Sequence, residues 1–255
     1  MAARARGNSA RRWHNSVGGR ARRPAGVARC SFYLSAIAAC AQTLPKAMQD
    51  VPLAVLTATL SSYWIGVGVM IVRVRRALRC GPRSAAQRFE RFNLKWIVWI
   101  ALVTAWIGIP WATLAHSGKI PALPAFASEP AYGALRWIAA IIAVLALAAT
   151  IRCWKRMGSN WRMDVGVATE APLITDGFFA YIRHPIYAFS MLLMLCSVAI
   201  VPTTPMLAVA AIHIVMMNAK ARSEERHLLA VHGDAYARYL RTSGRFLPRH
   251  RSPIV

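Results

Sequence analysis

The sequence predicts an all-α fold: a polytopic membrane bundle of about five transmembrane helices, with a C-terminal helical hairpin and a cytoplasmic C-terminal helix. Three observations predict it. Hydrophobic residues make up 56% of the 255 residues and charged residues only 16%, too little charge to cover a soluble surface. The apolar residues gather in blocks close to the roughly 20 that a helix needs to cross the hydrocarbon. Basic residues flank these blocks, as Arg73, Arg75, Arg76 and Arg79 do after the first, and form no aromatic-interleaved soluble face. The net charge of +23 therefore reads as anchoring to membrane lipids, and nucleic acid is not an expected partner.

Residues 1–47 read as a basic extension. Their arginines stand among Ala, Gly, Ser and Pro, a composition that cannot offset the entropy of ordering and so predicts disorder. The run from Ser31 ends in Ala39-Cys40-Ala41, the layout of a signal-like segment with a small-residue cleavage site. Met48 is a second possible start, since a full set of apolar stretches follows it.

Residues 48–152 should hold the N-terminal transmembrane helices. Val51 to Val72 is the first stretch, and Asn93 to Ala115 is the second, carrying Trp96, Trp99, Trp106 and Trp111. Tryptophans near helix ends suit the headgroup level. The third runs from Ala134 to Ile151 and stops at Arg152, Lys155 and Arg156.

Residues 153–249 carry the last two stretches, from Pro185 to near Val201 and from Pro205 to Ala219, and 250–255 form a tail. Only Pro202-Thr203-Thr204-Pro205 separates the two stretches, so they read as a hairpin in which proline ends one helix and opens the next.

Orientation follows from the loops. Arg73, Arg75, Arg76, Arg79, Arg83, Arg88 and Arg91 lie between the first two stretches, whereas His116 to Gly133 holds only Lys119. The first loop is then cytoplasmic, and alternation places residues 152–184 and the chain beyond Lys220 on the same side. An arginine-rich segment 1–30 on the outer side conflicts with this map, and cleavage after Ala41 or a start at Met48 removes the conflict. The Ala- and Arg-rich composition points to a bacterial inner membrane.

The five cysteines, Cys30, Cys40, Cys80, Cys153 and Cys196, show no paired spacing and read as small buried residues. No His or Cys pair stands at ligand spacing with partners, so a metal site is not predicted, and no Gly-rich phosphate loop occurs. His213, inside the fifth stretch, reads first as a packing residue.

Two polar segments flank the hairpin, Leu173 to Tyr187 and Glu224 to Tyr239. The return of a short hairpin brings them together, with Lys220 and Glu224 facing His184 and Pro185. In Arg183-His184-Pro185-Ile186-Tyr187, proline excludes the preceding residue from helix and favours the first helical position, so a helix should start at Pro185 with His184 as its cap. The free amides of that first turn, with Arg183, suit a carboxylate or phosphate. His184 and Tyr187, three apart, share a face. The plainer alternatives are a loop end at His184-Pro185, lipid phosphate on Arg183, and a solvated Glu224-Glu225 pair facing Arg222 or Lys220.

At these segments the sequence resembles the isoprenylcysteine carboxyl methyltransferase and phospholipid methyltransferase family of integral membrane enzymes. The resemblance rests on Leu173-Ile-Thr-Asp-Gly177, Arg183-His-Pro-x-Tyr187, the hairpin, Glu224-Glu-x-x-Leu228, Gly233-x-x-Tyr236-x-x-Tyr239 and Phe246-Leu-Pro248, in that order, with a looser Met157-Gly-Ser-Asn-Trp161 before them. It implies a methyltransferase that uses S-adenosyl-L-methionine from the cytoplasm and a lipophilic acceptor from the bilayer: an isoprenylcysteine-like carboxylate, a phospholipid amine or a small lipophilic thiol or acid. It places Ala171, Pro172, Leu173, Ile174, Phe179, His184, Pro185, Ile186, Tyr187 and Glu224 around the cofactor, and Arg183, Glu224 and Lys220 at the chemistry. Glu224 would hold polar groups of the cofactor, the amides after His184 its carboxylate, and Lys220 or Arg222 an anionic acceptor. Phe179 stands where an aromatic hydroxyl is common in the family, and Lys220 stands for an arginine, without its bidentate fork.

NADPH-dependent membrane sterol and fatty-chain reductases share part of this layout, but they carry an Asn-Tyr pair after the proline where Ile186-Tyr187 stands. A non-catalytic membrane protein is the third reading.

Overall fold

The computed structural model describes residues 50–79, 94–116, 119, 122–158, 161 and 173–249. The extension 1–47, most of the arginine-rich loop after the first helix, Cys30, Cys40, Cys80 and the tail 250–255 lie outside the described residues. Among them five α-helices follow one another: α1 Val51–Arg79, α2 Leu94–Ala115, α3 Pro130–Met157, α4 Pro185–Ile200 and α5 Thr204–Thr242. Four are long and apolar enough to cross a membrane, and α4 is a shorter apolar helix. The only bridges described are isolated, Lys119 with Ala122 and Ile182 with Gly244, and they build no sheet.

Helix α1 begins where Asp50 accepts the Leu53 N–H at 3.2 Å, the N-cap bond that satisfies one orphan donor of the first turn. Its hydroxyls are satisfied within the helix, Thr57 donating to the Leu53 and Ala54 carbonyls and Thr59 to Val55, which lets them lie in an apolar setting. In α3, Ala139, Ala140, Ala143 and Ala146 are all buried. Side chains this small let neighbouring helices approach closely, which is how packing holds helices together in lipid. Accordingly α3 lies against both α1 and α4. The core between these helices joins Leu53, Leu56, Leu60 and Tyr63 of α1 to Trp106 of α2, Leu193 and Met194 of α4 and Met206 of α5.

The end of the bundle remote from the polar segments is pinned by side chain to backbone. Arg136 pairs with Asp50 and donates to the Ile200 carbonyl at 3.2 Å, while the Tyr132 hydroxyl donates to the Ala199 carbonyl at 2.9 Å. The last carbonyls of α4 thereby find partners where the helix stops.

The hairpin forms as the prolines require, α4 opening at Pro185 and α5 at Thr204 with Pro205 in its first turn. One expectation is corrected. The fifth helix does not end near Ala219, where the apolar stretch stops; it continues through the polar segment to Gly233, and a C-terminal helical segment follows the kink there within α5, Thr204–Thr242. Nothing between Ala219 and Gly233 breaks a helix, and Arg, Glu, Leu and Ala there are strong helix formers. The backbone leaves helical geometry only at Gly233, at φ 50° and ψ −125°, and the chain kinks there. Helices α1 and α3 likewise extend beyond their apolar stretches into Arg- and Lys-bearing turns, because a helix ends at its caps and not at the edge of its hydrophobicity.

Candidate active site at the mouth of the hairpin

The antiparallel register of α4 and α5 fixes what meets what. On α5, His213, Met217, Lys220 and Glu224 recur at spacings of three and four and therefore share a face. That face meets α4 step by step. The His213 imidazole is hydrogen-bonded to Ser190 at 3.0 Å, Lys220 Nζ lies 5.7 Å from the centre of the Tyr187 ring, and Glu224 accepts the Tyr187 hydroxyl. His184, one residue before α4, completes the ladder with Nδ1 at 3.3 Å from Glu224 Oε2.

His184 caps α4 as the His-Pro pair predicts, and its ring stacks on Tyr187 at 5.5 Å between centroids and 5° between planes. The first bond of the helix runs from the Ala188 N–H to the His184 carbonyl. The amides of Ile186 and Tyr187 belong to the turn whose donors a helix leaves unpaired. His184 is buried, and its Nε2 is 3.5 Å from Glu225 Oε1 without a hydrogen-bond partner.

The twin glutamates divide their work. Glu224 takes Tyr187 and His184. Glu225 is clamped by two arginines: Arg183 Nε at 3.0 Å from Oε1, and Arg245 Nε at 3.0 and 3.1 Å from the two oxygens, with Arg245 Nη2 adding a second arm to Oε2. The side chains of Arg183 and Glu225 are each only 11% exposed. A charge this deep is tolerated because it is paired and bidentate, and removing one partner of such a group costs about 3–5 kcal/mol.

Arg183 is further committed, its Nη1 donating to the carbonyls of Leu240 and Ser243. Its guanidinium thus faces inward to α5 and the C-terminal segment. A substrate anion would have to compete with three internal acceptor atoms, so the role that suits Arg183 is to hold the corner together.

The C-terminal segment closes over this corner as a strap. Gly244 bridges in parallel to Ile182: the Arg183 N–H donates to the Gly244 carbonyl at 2.8 Å, the His184 N–H to the Arg245 carbonyl at 3.1 Å, and the Gly244 and Arg249 N–H groups to Tyr181. A Cβ at Gly244 would stand 1.9 Å from the Leu247 carbonyl oxygen, so only glycine fits the turn. The Tyr239 hydroxyl donates to the Phe179 carbonyl at 2.5 Å, tying α5 to the 3-10 turn Gly177–Ala180. Asp176, which opens that turn, pairs with Arg156 of α3 at 2.6 Å. This hydrogen-bonded guanidinium holds the Asp176 carboxyl below its ordinary value.

Of the expected site residues, His184, Pro185, Ile186, Tyr187, Lys220 and Glu224 are brought together at the hairpin mouth, with Arg183 directly behind them. Phe179 is buried beside the corner, its carbonyl taken by Tyr239. Leu173 and Ile174 are half-buried in the strand of chain that leads to Asp176. Ala171 and Pro172 lie outside the described residues. Arg245 was not among the expected residues. The one local signal for it is its place just before Phe246-Leu-Pro248, a cation on the strap with an acidic pair across the mouth.

A sequence profile described as the isoprenylcysteine carboxyl methyltransferase (ICMT) family matches residues 138–230. No match is found among curated protein sequences. The chain shares its fold with the structure of the eukaryotic intramembrane Ras methyltransferase ICMT, at a TM-score of 0.51 and 18% identity over 82% of this chain and 69% of that one. The profile falls on the helices and corner that build the mouth of the hairpin, so over residues 138–230 the chain is similar to the ICMT family, and its fold is that of the solved ICMT.

Proposed function

We propose that this protein transfers a methyl group from S-adenosyl-L-methionine to the carboxylate of an isoprenylcysteine-like, lipophilic acceptor at the cytoplasmic face of its membrane. The observation that carries the reading is the depth of the corner. With 16 residues, α4 is about 24 Å long at helical rise, shorter than the roughly 30 Å of hydrocarbon. Its far end is held level with the Asp50–Arg136 pair, which belongs at the opposite interface. His184, Tyr187 and Glu224 therefore sit below headgroup level, where the polar end of a lipid-borne acceptor meets a cofactor from the aqueous side.

The residues present suit the cofactor. Free amides at the start of α4, the positive end of a helix dipole, fit its carboxylate. Glu224, fixed from both sides by Tyr187 and His184, fits its hydroxyl or ammonium donors. S-adenosyl-L-methionine supplies the methyl group on a sulfonium. What the chain supplies is alignment and shelter from water. A carboxylate and a sulfonium combine into neutral products, so a recessed, poorly solvated site favours the step. Lys220, over Tyr187 and one turn before Glu224 on α5, is placed to guide an anionic acceptor. The Lys and Arg balance of the loops supports the cytoplasmic orientation.

The test is binding of S-adenosylhomocysteine to the detergent-purified protein. The wild type should bind it, and His184→Ala and Glu224→Ala should each weaken binding at least tenfold while the protein remains folded. Unchanged affinity in both variants refutes the site. Binding of NADPH in place of S-adenosylhomocysteine would move the protein to the reductase class. Incubation with isotopically labelled donor and prenylated thiol carboxylates, then mass spectrometry, tests the acceptor: label in a methyl ester is expected.

A further inference from the structure

We propose that Arg245 is a positioning residue for the methyl-transfer site, holding Glu225 so that Glu225 and the strap fix His184 against Glu224. The proposal rests on the methyltransferase reading above, and Arg245 lies beyond the segment 138–230 that the family profile matches.

Three links converge on His184 from the strap. The guanidinium of Arg245 engages both oxygens of Glu225, and the Glu225 oxygen it shares with Arg183 is the one facing His184 Nε2 at 3.5 Å. The backbone carbonyl of Arg245 accepts the His184 N–H at 3.1 Å. Phe246, the next residue, sets its ring 6.2 Å from the imidazole. On its other side the imidazole stacks on Tyr187 and meets Glu224, so His184 has little room left in which to turn.

Arg183 alone cannot do this. It binds one oxygen of Glu225 and spends its remaining reach on the Leu240 and Ser243 carbonyls, which leaves the carboxylate free to pivot about a single bond. The bidentate arm from Arg245 removes that pivot. Because both of the Arg245 nitrogens that bond are spent on Glu225, its effect on the reaction passes through Glu225 and His184. The Arg245 side chain is 34% exposed against 11% for Glu225, so it closes the pair from the water side.

The experiment compares Arg245→Ala, Arg245→Lys, Glu225→Ala and the double variant Glu225→Ala/Arg245→Ala, each assayed well below its own unfolding temperature. Arg245→Ala is expected to weaken S-adenosylhomocysteine binding and raise KM for the methyl donor about tenfold, with a much smaller fall in kcat. Arg245→Lys should recover part of the affinity, since a point charge restores attraction without the fork. The double variant should bind no worse than Glu225→Ala alone, because both act through one link. Wild-type affinity in Arg245→Ala, or losses that add in the double variant, overturns the proposal. If Arg245→Ala does not fold, Arg245→Lys decides: wild-type KM overturns the proposal and a raised KM supports it. A wild-type protein that binds no S-adenosylhomocysteine overturns the methyltransferase reading and this proposal with it, whereas a binding wild type with an indifferent Arg245 overturns only the second.

Discussion

Glu224 and Glu225 are adjacent in sequence and chemically identical, yet they sit in opposite environments. On a helix successive residues point about 100° apart, so one carboxylate faces α4 and the other faces the strap. That division decides which of them can serve a ligand: Glu225 is saturated by Arg183 and Arg245, while Glu224 keeps its contacts on the open side with Tyr187 and His184. The sequence makes the shared face of His184 and Tyr187 legible, because a proline fixes where the helix starts and a spacing of three does the rest. Arg245 is not legible in that way, since its partner is 20 residues upstream and is reached only after the kink at Gly233 and the bridge from Gly244 to Ile182. Tyr239 offers a test at this scale. Its buried hydroxyl holds the Phe179 carbonyl, so Tyr239→Phe should destabilise the protein by about 1–3 kcal/mol, the cost of an unmet buried acceptor. Thermal unfolding in detergent reads this, followed by the reactivity of the buried thiols Cys153 and Cys196; an unchanged midpoint would mean that Phe179 finds another donor.

At the scale of elements, close approach of α1 to α3 sets the frame on which the hairpin rests. Gly66 of α1 lies against the Trp154 indole of α3, and a Cβ there would stand 2.5 Å from Cζ3 and 3.0 Å from Cη2. Trp154 is itself held by the Tyr63 ring at 5.5 Å. It has little freedom to withdraw, so Gly66→Ala should cost about 1–3 kcal/mol as overpacking does. The same thiol assay measures it, and a wild-type midpoint would show that the indole swings aside. Hydropathy locates α1 to α4 well because a bilayer demands an apolar surface of set length. It misplaces the end of α5, because hydropathy reports the membrane while helix propensity and caps report the helix. The consequence is functional: Lys220 and Glu224 ride on the same rigid rod as His213, so their register against Tyr187 and His184 is inherited from packing inside the bilayer.

At the scale of the whole molecule, both ends of the bundle are polar but in different ways. One end is pinned by Asp50, Arg136 and Tyr132, and the other gathers Arg183, Glu224, Glu225, Arg245 and the Arg156–Asp176 pair. If the second end faces the cytoplasm, a green fluorescent protein fused after Val255 should fluoresce in cells, while alkaline phosphatase at the same place should be inactive; the reverse pattern overturns the orientation. The sequence by itself determined the class of the protein, its membrane stretches, the hairpin and the residues at its mouth. Each of these follows from local rules, namely hydrocarbon thickness, the backbone limits of proline and helical periodicity. Only the tertiary structure decided which glutamate is sealed and which is open, that Arg183 turns inward, and that Arg245 completes the corner. Those outcomes depend on groups far apart in the chain competing for the same few buried partners, and a competition of that kind is settled by distance in space.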